Sequence, residues 1–267
     1  MEPPGVVAER RRVAGNYDLH VRTLAQVQTL LRVDGTWPGS ISLSAGWFRA
    51  RARPWNELVS DPMVRLERGG PEFLIAVARR LTELGTDTVY SPALYPGSSR
   101  VWRRAGFEDH ATLEIMERPL GIGNPGFETD TVRAERKPDW DQILEVDRGA
   151  FEGFWGMSRL ALEEAHLTNR SRILLVAGAV SSVDGYAIVG SQWGTVYLHR
   201  IAVRPDSSGQ GMGSALVAAA IEWGNRTGSR TMLLNVRPEN ERAKELYRRH
   251  GFAGTGSVLE VLRLGLP

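Results

Sequence analysis

The stretch Ile201-Ala-Val-Arg-Pro-Asp-Ser-Ser-Gly-Gln-Gly-Met-Gly213 decides how this chain folds. It begins in a strand-like run at 196–203 and ends in glycines at 209, 211 and 213. After it Leu216, Ala219, Ala220 and Trp223 recur at i, i+3, i+4 and i+7, the apolar face of a buried helix. A strand therefore turns through glycines into a helix. Such a turn leaves backbone N–H groups unpaired at the helix start. Glycine at alternate positions lets that backbone take positive φ and approach a ligand closely. Free N–H groups and the positive helix end together make a phosphate seat. The glycine spacing alone fits an ordinary structural turn equally well. A dinucleotide fold is disfavoured, because no acidic ribose ligand follows at the usual distance.

Outward from this turn the periodicities alternate. Downstream, 232–236 reads as a short strand. Ala243, Leu246, Tyr247 and His250 share one face of a helix that Gly251 closes as a C-cap, and Phe252 and 258–264 finish the sheet. Upstream, 131–136 reads as a strand and 139–151 as a helix with Trp140, Ile143, Leu144, Val146 and Asp147 on its inner face. A second helix follows at 158–167. Strands at 173–180, 186–189 and 196–203 are joined by hairpin-like turns at 181–185 and Trp193-Gly194.

The amino-terminal half repeats the end of this pattern, with a helix at 71–85, a strand at 87–91 and a helix at 98–105. Val101-Trp-Arg-Arg-Ala-Gly-Phe107 matches Leu246-Tyr-Arg-Arg-His-Gly-Phe252 at a constant offset of 145 residues. An internal repeat is the economical reading. Gly121-Ile-Gly-Asn-Pro-Gly126 is the best boundary. The expected division is a first domain at 1–120, a linker at 121–130 and a second domain at 131–267.

Ser208-Gly-Gln-Gly-Met-Gly213, followed by Asn240, Ala243, Leu246-Tyr247 and Gly251-Phe252, resembles the GNAT acyltransferase superfamily along the whole second domain. That family has Arg/Gln-x-x-Gly-x-Gly/Ala at this turn, and here Ser208 stands at the leading position. The resemblance implies an α+β (mixed α/β) fold of two such domains, each a mostly antiparallel twisted sheet flanked by helices, the first incomplete. It implies acetyl-CoA as acyl donor, without a metal. Ile201, Ala202 and Val203 would pair with the pantetheine arm. The turn Ser208, Gly209, Gln210, Gly211, Met212, Gly213 and Ser214 would hold the pyrophosphate, and Asn240 and Ala243 would line the arm. Tyr247 would protonate the departing thiolate. Read as residues only, Asn240 is equally the N-cap of the helix at 241, and Tyr247 is equally core.

Direct transfer to an amine needs a neutral amine, an oxyanion donor and a proton for the thiolate. A strand N–H near Ala202 or Val203 serves the oxyanion. Relatives carry a Glu base at the position of Tyr197 or of Asn235; this chain has neither. His199, two residues from Tyr197 on the same strand face, is one candidate base, and a water chain past Tyr197 and Asn235 is the other. Phe151, Phe154 and Trp155 either line a substrate pocket or pack the helices on the sheet.

Composition narrows the rest. The 267 residues contain no cysteine, which excludes disulfides, thiolate metal sites and cysteine nucleophiles. Net charge is +2, and all basic residues but Lys137 and Lys244 are arginine, interspersed with acids. That argues against nucleic acid as partner. No apolar run is long enough for a membrane span, and the start lacks a signal-peptide core. The reading is a cytoplasmic N-acetyltransferase, monomer or homodimer, acting on a small-molecule or peptide amine. The alternative is a non-catalytic acyl-CoA sensor. In the first domain Leu66-Glu-Arg-Gly-Gly-Pro71 and Trp102 replace the seat and the acid. A degenerate repeat that completes the sheet or roofs the cleft is expected there.

Overall fold

The computed structural model describes residues 23–121, 129–179 and 181–265. The amino-terminal half holds α1 (Leu24–Leu30), β1 (Arg32–Asp34), β2 (Ile41–Ala45), β3 (Phe48–Pro54), β4 (Pro62–Arg68), α2 (Pro71–Glu83), β5 (Thr88–Tyr90), α3 (Pro96–Arg104) and β6 (Glu108–Pro119). The carboxy-terminal half holds β7 (Val132–Ala134), α4 (Trp140–Ala150), a 3-10 turn at Gly153–Trp155, α5 (Arg159–Leu167), β8 (Ser171–Ala177), β9 (Gly185–Gln192) and β10 (Thr195–Val203). It ends with α6 (Met212–Arg226), β11 (Thr231–Val236), α7 (Glu241–Arg249) and β12 (Ala253–Gly265). The helix and strand types match the sequence reading wherever one was made; α1, β1–β4 and β6 lie in stretches it left unassigned. Val180, part of the strand expected at 173–180, and residues 122–128 of the expected linker lie outside the described residues.

Local chemistry sets the boundaries. Asp139 caps α4 by accepting from Asp141 N and Gln142 N, Ser158 caps α5 by accepting from Ala161 N, and Gly251 leaves α7 at φ +79°. On β8, Leu174 and Val176 face the core under α4 and α5, whereas Leu175 and Ala177 face the core under α6 and α7. This is the period-two alternation of a strand buried on both sides.

Among the described residues the strands join one 12-stranded sheet of order β1-β2-β3-β4-β5-β12-β6-β11-β10-β9-β8-β7. Moving every amino-terminal strand six places along the chain turns this order into its own mirror. The final strand of each half is exchanged: β12 pairs with β5, and β6 pairs with β11. β6 and β12 also pair with each other at the centre. The sheet therefore runs unbroken across residue 120, and the run at 258–264 completes it beside the amino-terminal half rather than beside β11. Exchange satisfies both central edges, which otherwise would expose unpaired N–H and C=O groups.

Candidate functional site

β10 and β11 run parallel only from Thr195↔Thr231 to Leu198↔Leu234, although β10 continues to Val203 and β11 to Val236. The register of β10 against β9 also breaks between Leu198 and Arg200. A bulge at His199 bends the strand away from its neighbour. The diverging ends open a cleft of about 830 Å³. Its walls include residues 198–203 of β10, 234–236 of β11 and Arg237 just beyond it, with Phe151, Phe154 and Trp155 at one end and the glycine turn at the other.

Gly209 and Gly211 take φ +85° and +84°, and a Cβ built on either meets no atom within 4 Å. Both open into the cleft, as do Ser208, Gly213 and Ser214. The first bond of α6 is from Ala215 N to Gly211 O at 3.0 Å. The N–H groups of Met212, Gly213 and Ser214 precede it and have no acceptor in the helix. Gln210 and Met212 are not wall residues; Gln210 Nε2 instead donates to Asp206 O. Open space, free donors and a helix N-terminus fit a pyrophosphate.

Sequence reasoning missed Arg242. It donates to Ser208 Oγ and lines the cleft, as does Arg249. Arg242, Leu246 and Arg249 lie at i, i+4 and i+7, so one face of α7 presents two guanidinium groups beside the glycine turn. A cation is thus supplied in space where Ser208 lacks one in sequence. The helical spacing was a readable signal, but the contact across 34 residues was not.

Tyr247 lies on the cleft wall, 6% exposed, with its ring edge-on to Phe252 at 5.9 Å. Burial pushes its hydroxyl up to about 12, against a downward pull from Arg200. It is protonated at any ordinary pH. It is also a core residue packed with α6, as the reading from residues alone expected. Asn240 likewise caps α7 through Ala243 N at 3.0 Å and lines the cleft beside Ala243.

His199 and Asn235 line the cleft, and Tyr197 does not; its ring stacks on His199 at 5.9 Å. His199 Nε2 is 2.6 Å from Asn169 Oδ1, and burial lowers its pKa from 6.5 to about 4. The imidazole is neutral at pH 7 but a weak proton acceptor. His250 is also driven to about 4 by burial, then by Arg118 and Arg249, and its Nε2 meets Ser214 Oγ at 2.7 Å. Both rings bind a proton more readily unfolded than folded. Unfolding therefore takes up protons between pH 6.5 and about 4, and stability falls across that window as pH drops. The melting temperature is expected to decline from pH 6.5 to 4. His250→Gln should flatten that slope; an unchanged slope would place the titrating groups elsewhere.

At the other end, Asp147 on α4 is wholly buried and receives four hydrogen bonds. Tyr186 Oη donates to it at 2.5 Å, Arg200 Nε at 2.7 Å, Arg200 Nη2 at 2.9 Å and Met157 N at 2.8 Å. Arg200 also lies 3.5 Å over the Phe151 ring and donates to Trp155 O. Burial holds the Tyr186 hydroxyl well above its ordinary range, so it remains a donor. This network fixes the bulged strand and the Phe151–Met157 segment against each other. Phe154 stacks on Trp55 of the amino-terminal half at 4.1 Å, and Asn56 Nδ2 donates to Gly153 O and Gly156 O. The aromatic segment both packs and lines the cleft, and Arg53, Trp55, Met63, Pro92 and Ala93 complete the wall from the first half.

The amino-terminal turn at residues 66–71 has a different geometry. Gly70 sits at φ −115°, Pro71 starts α2, and a Cβ on Gly69 would lie 2.5 Å from the Phe73 ring. Trp102 is buried edge-on to Phe107 at 4.9 Å, where Tyr247 meets Phe252.

The splayed mixed sheet with a glycine-turned helix at its opening is where the chain meets known proteins. Residues 140–252 match the Acetyltransferase (GNAT) family. The chain is 29% identical over 205 residues to mycothiol acetyltransferase of Geodermatophilus obscurus, covering 66% of this chain and 64% of that protein. It is 28% identical over 218 residues to mycothiol acetyltransferase of Rhodococcus jostii, covering 73% and 70%. The chain thus spans less than two thirds of the first of these relatives. A tandem GNAT protein from the clavulanic acid biosynthesis pathway has a similar fold, with a TM-score of 0.55 at 14% identity over 88% of this chain and 83% of that one. Among the described residues no helix is long and apolar enough to cross a membrane, and no cluster of His, Asp or Glu suits a metal.

Proposed function

We propose that this chain is an N-acetyltransferase that moves an acetyl group from acetyl-CoA directly to an amine of a small molecule or short peptide. The observation that carries the reading is the open seat of Gly209 and Gly211 at the head of α6, where β10 and β11 part. Bound there, acetyl-CoA would supply the thioester: the amine nitrogen bonds to its acyl carbon, the C–S bond breaks, and the thiol leaves. The N–H groups of Gly209 to Ser214 and the guanidinium of Arg242 hold the phosphates. The edge of β10 at Ile201–Val203, past its pairing with β11, offers backbone groups to the arm, which Asn240 and Ala243 flank. A strand N–H near Ala202 or Val203 steadies the oxyanion. Tyr247 keeps its proton until the thiolate forms. With His199 held near 4, water past Asn235 carries the amine's proton away. The relatives' names, acetyltransferases throughout, favour catalysis over a sensor.

The amino-terminal half is, in this reading, a duplicated repeat that has lost its cofactor seat. The palindromic strand order supports it, as does the spacing of α3 (Pro96–Arg104) and α7 (Glu241–Arg249), whose ends lie 145 residues apart. Phe73 filling the space at Gly69 supports the lost seat. The repeats would span 1–120 and 131–267, as a cytoplasmic monomer or homodimer.

Tyr247→Phe tests the reading. Binding of acetyl-CoA should stay near the parent value while kcat falls by ~10²-fold. Thiol release with a panel of amines measures it. An unchanged kcat would move the acid elsewhere. Because the hydroxyl titrates only near 12, no basic limb from it should appear below about pH 11 in the parent.

A further inference from the structure

The residues that line the cleft include Arg53, Arg200, Arg237, Arg242 and Arg249, and among the described residues no Asp or Glu. Two of these cations are neutralised from outside the wall. Arg53 pairs with Glu164 at 2.9 Å, and Arg200 pairs with Asp147. Arg242 and Arg249 stand at the glycine turn, where phosphates are expected. Arg237 remains for the acceptor. It follows the last residue of β11, lies 5.5 Å over the Trp155 ring, and has only a loose contact, 3.5 Å, with the exposed Glu239. Around it the surfaces are flat and apolar: Trp55 stacked on Phe154, with Trp155 edge-on to Phe154 at 5.4 Å.

An ammonium group entering this cleft would shed water and find no counter-charge, a costly transfer. A carboxylate or phosphate reaching Arg237 finds a fork of donors beside an aromatic plate. We propose that the acceptor is an amine whose apolar or aromatic body also carries an anionic group, and that Arg237 holds that group while the amine enters uncharged. Polyamines and lysine-rich peptides are excluded by the same electrostatics. The inference deepens the acetyltransferase reading and rests on it.

Calorimetry with two probes of similar size tests it: 3-phenylpropanoate and 2-phenylethylammonium, each titrated into the full chain with and without CoA. The carboxylate should bind at least about 10-fold more tightly than the cation. Arg237→Gln, partly exposed and outside the core, should erase that preference with an unchanged melting temperature, and Arg237→Lys should restore part of it. Equal or tighter binding of the cation overturns the inference. So does failure of both probes to bind, or a preference that survives Arg237→Gln. Acetyl-CoA binding and thiol release are measured apart. A protein that prefers phenylpropanoate through Arg237 yet releases no thiol would fail as an acetyltransferase while keeping its anion site.

Discussion

Asp147→Ala is expected to destabilise the fold by about 3–5 kcal/mol, the usual cost of stranding one partner of a buried ion pair. Asp147 has no exposed surface, and the Arg200 side chain is only 12% exposed. Removing the carboxylate leaves the guanidinium, the Tyr186 hydroxyl and the Met157 N–H facing a void together. Urea denaturation followed by circular dichroism measures the loss. Glu83→Ala serves as the control, because its ion pair with Arg80 lies on the surface and should cost less than about 1 kcal/mol. If Asp147→Ala loses no more than the control, the network is not what holds α4 to the bulged strand. A compensating Arg200→Met with Tyr186→Phe should recover part of the loss, since an apolar replacement leaves no charge behind.

Gly211→Asp is expected to weaken acetyl-CoA binding by more than about 100-fold while leaving a folded protein. The residue is at φ +84°, so any side chain there is strained, and Asp adds a negative charge where the pyrophosphate would sit. Nothing within 4 Å would clash, so the loss should fall on the ligand more than on the fold. Gly211→Ala separates the two contributions, having the strain without the charge. Gly70→Asp, in the glycine turn before α2 of the first half, should leave binding untouched. Calorimetry giving parent-like affinity for Gly211→Asp would remove the proposed seat.

What could be read in the chain and what could not divide along the range of the interactions. Leu216, Ala219, Ala220 and Trp223 announce α6 because a helix repeats every 3.6 residues and its inner face must be apolar. Asp139, Ser158 and Asn240 announce helix starts because their side chains bond two or three residues ahead. The likeness of residues 101–107 to 246–252 was likewise visible, because it needs only comparison of one segment with another. The His199 bulge was not. Period-two counting treats β10 as regular, whereas the break arises where β9 and the buried Asp147–Arg200 pair pull on the same strand.

The remaining features belong to contacts between distant segments. Arg242 beside Ser208, Arg237 over Trp155 and Trp55 on Phe154 join residues that local pattern cannot pair, because each depends on how helices and loops pack once the sheet exists. The sequence by itself determined the elements from Pro71 to Arg104 and of the second half, their order, the glycine turn and the repeated Arg-Arg and Gly-Phe pattern, all consequences of short-range periodicity and backbone chemistry. Only the tertiary structure decided that β6 and β12 change places and that the first half walls the cleft of the second. Each of those strands has the pattern for either sheet, and the choice is made by which edge offers a partner for its backbone N–H and C=O groups.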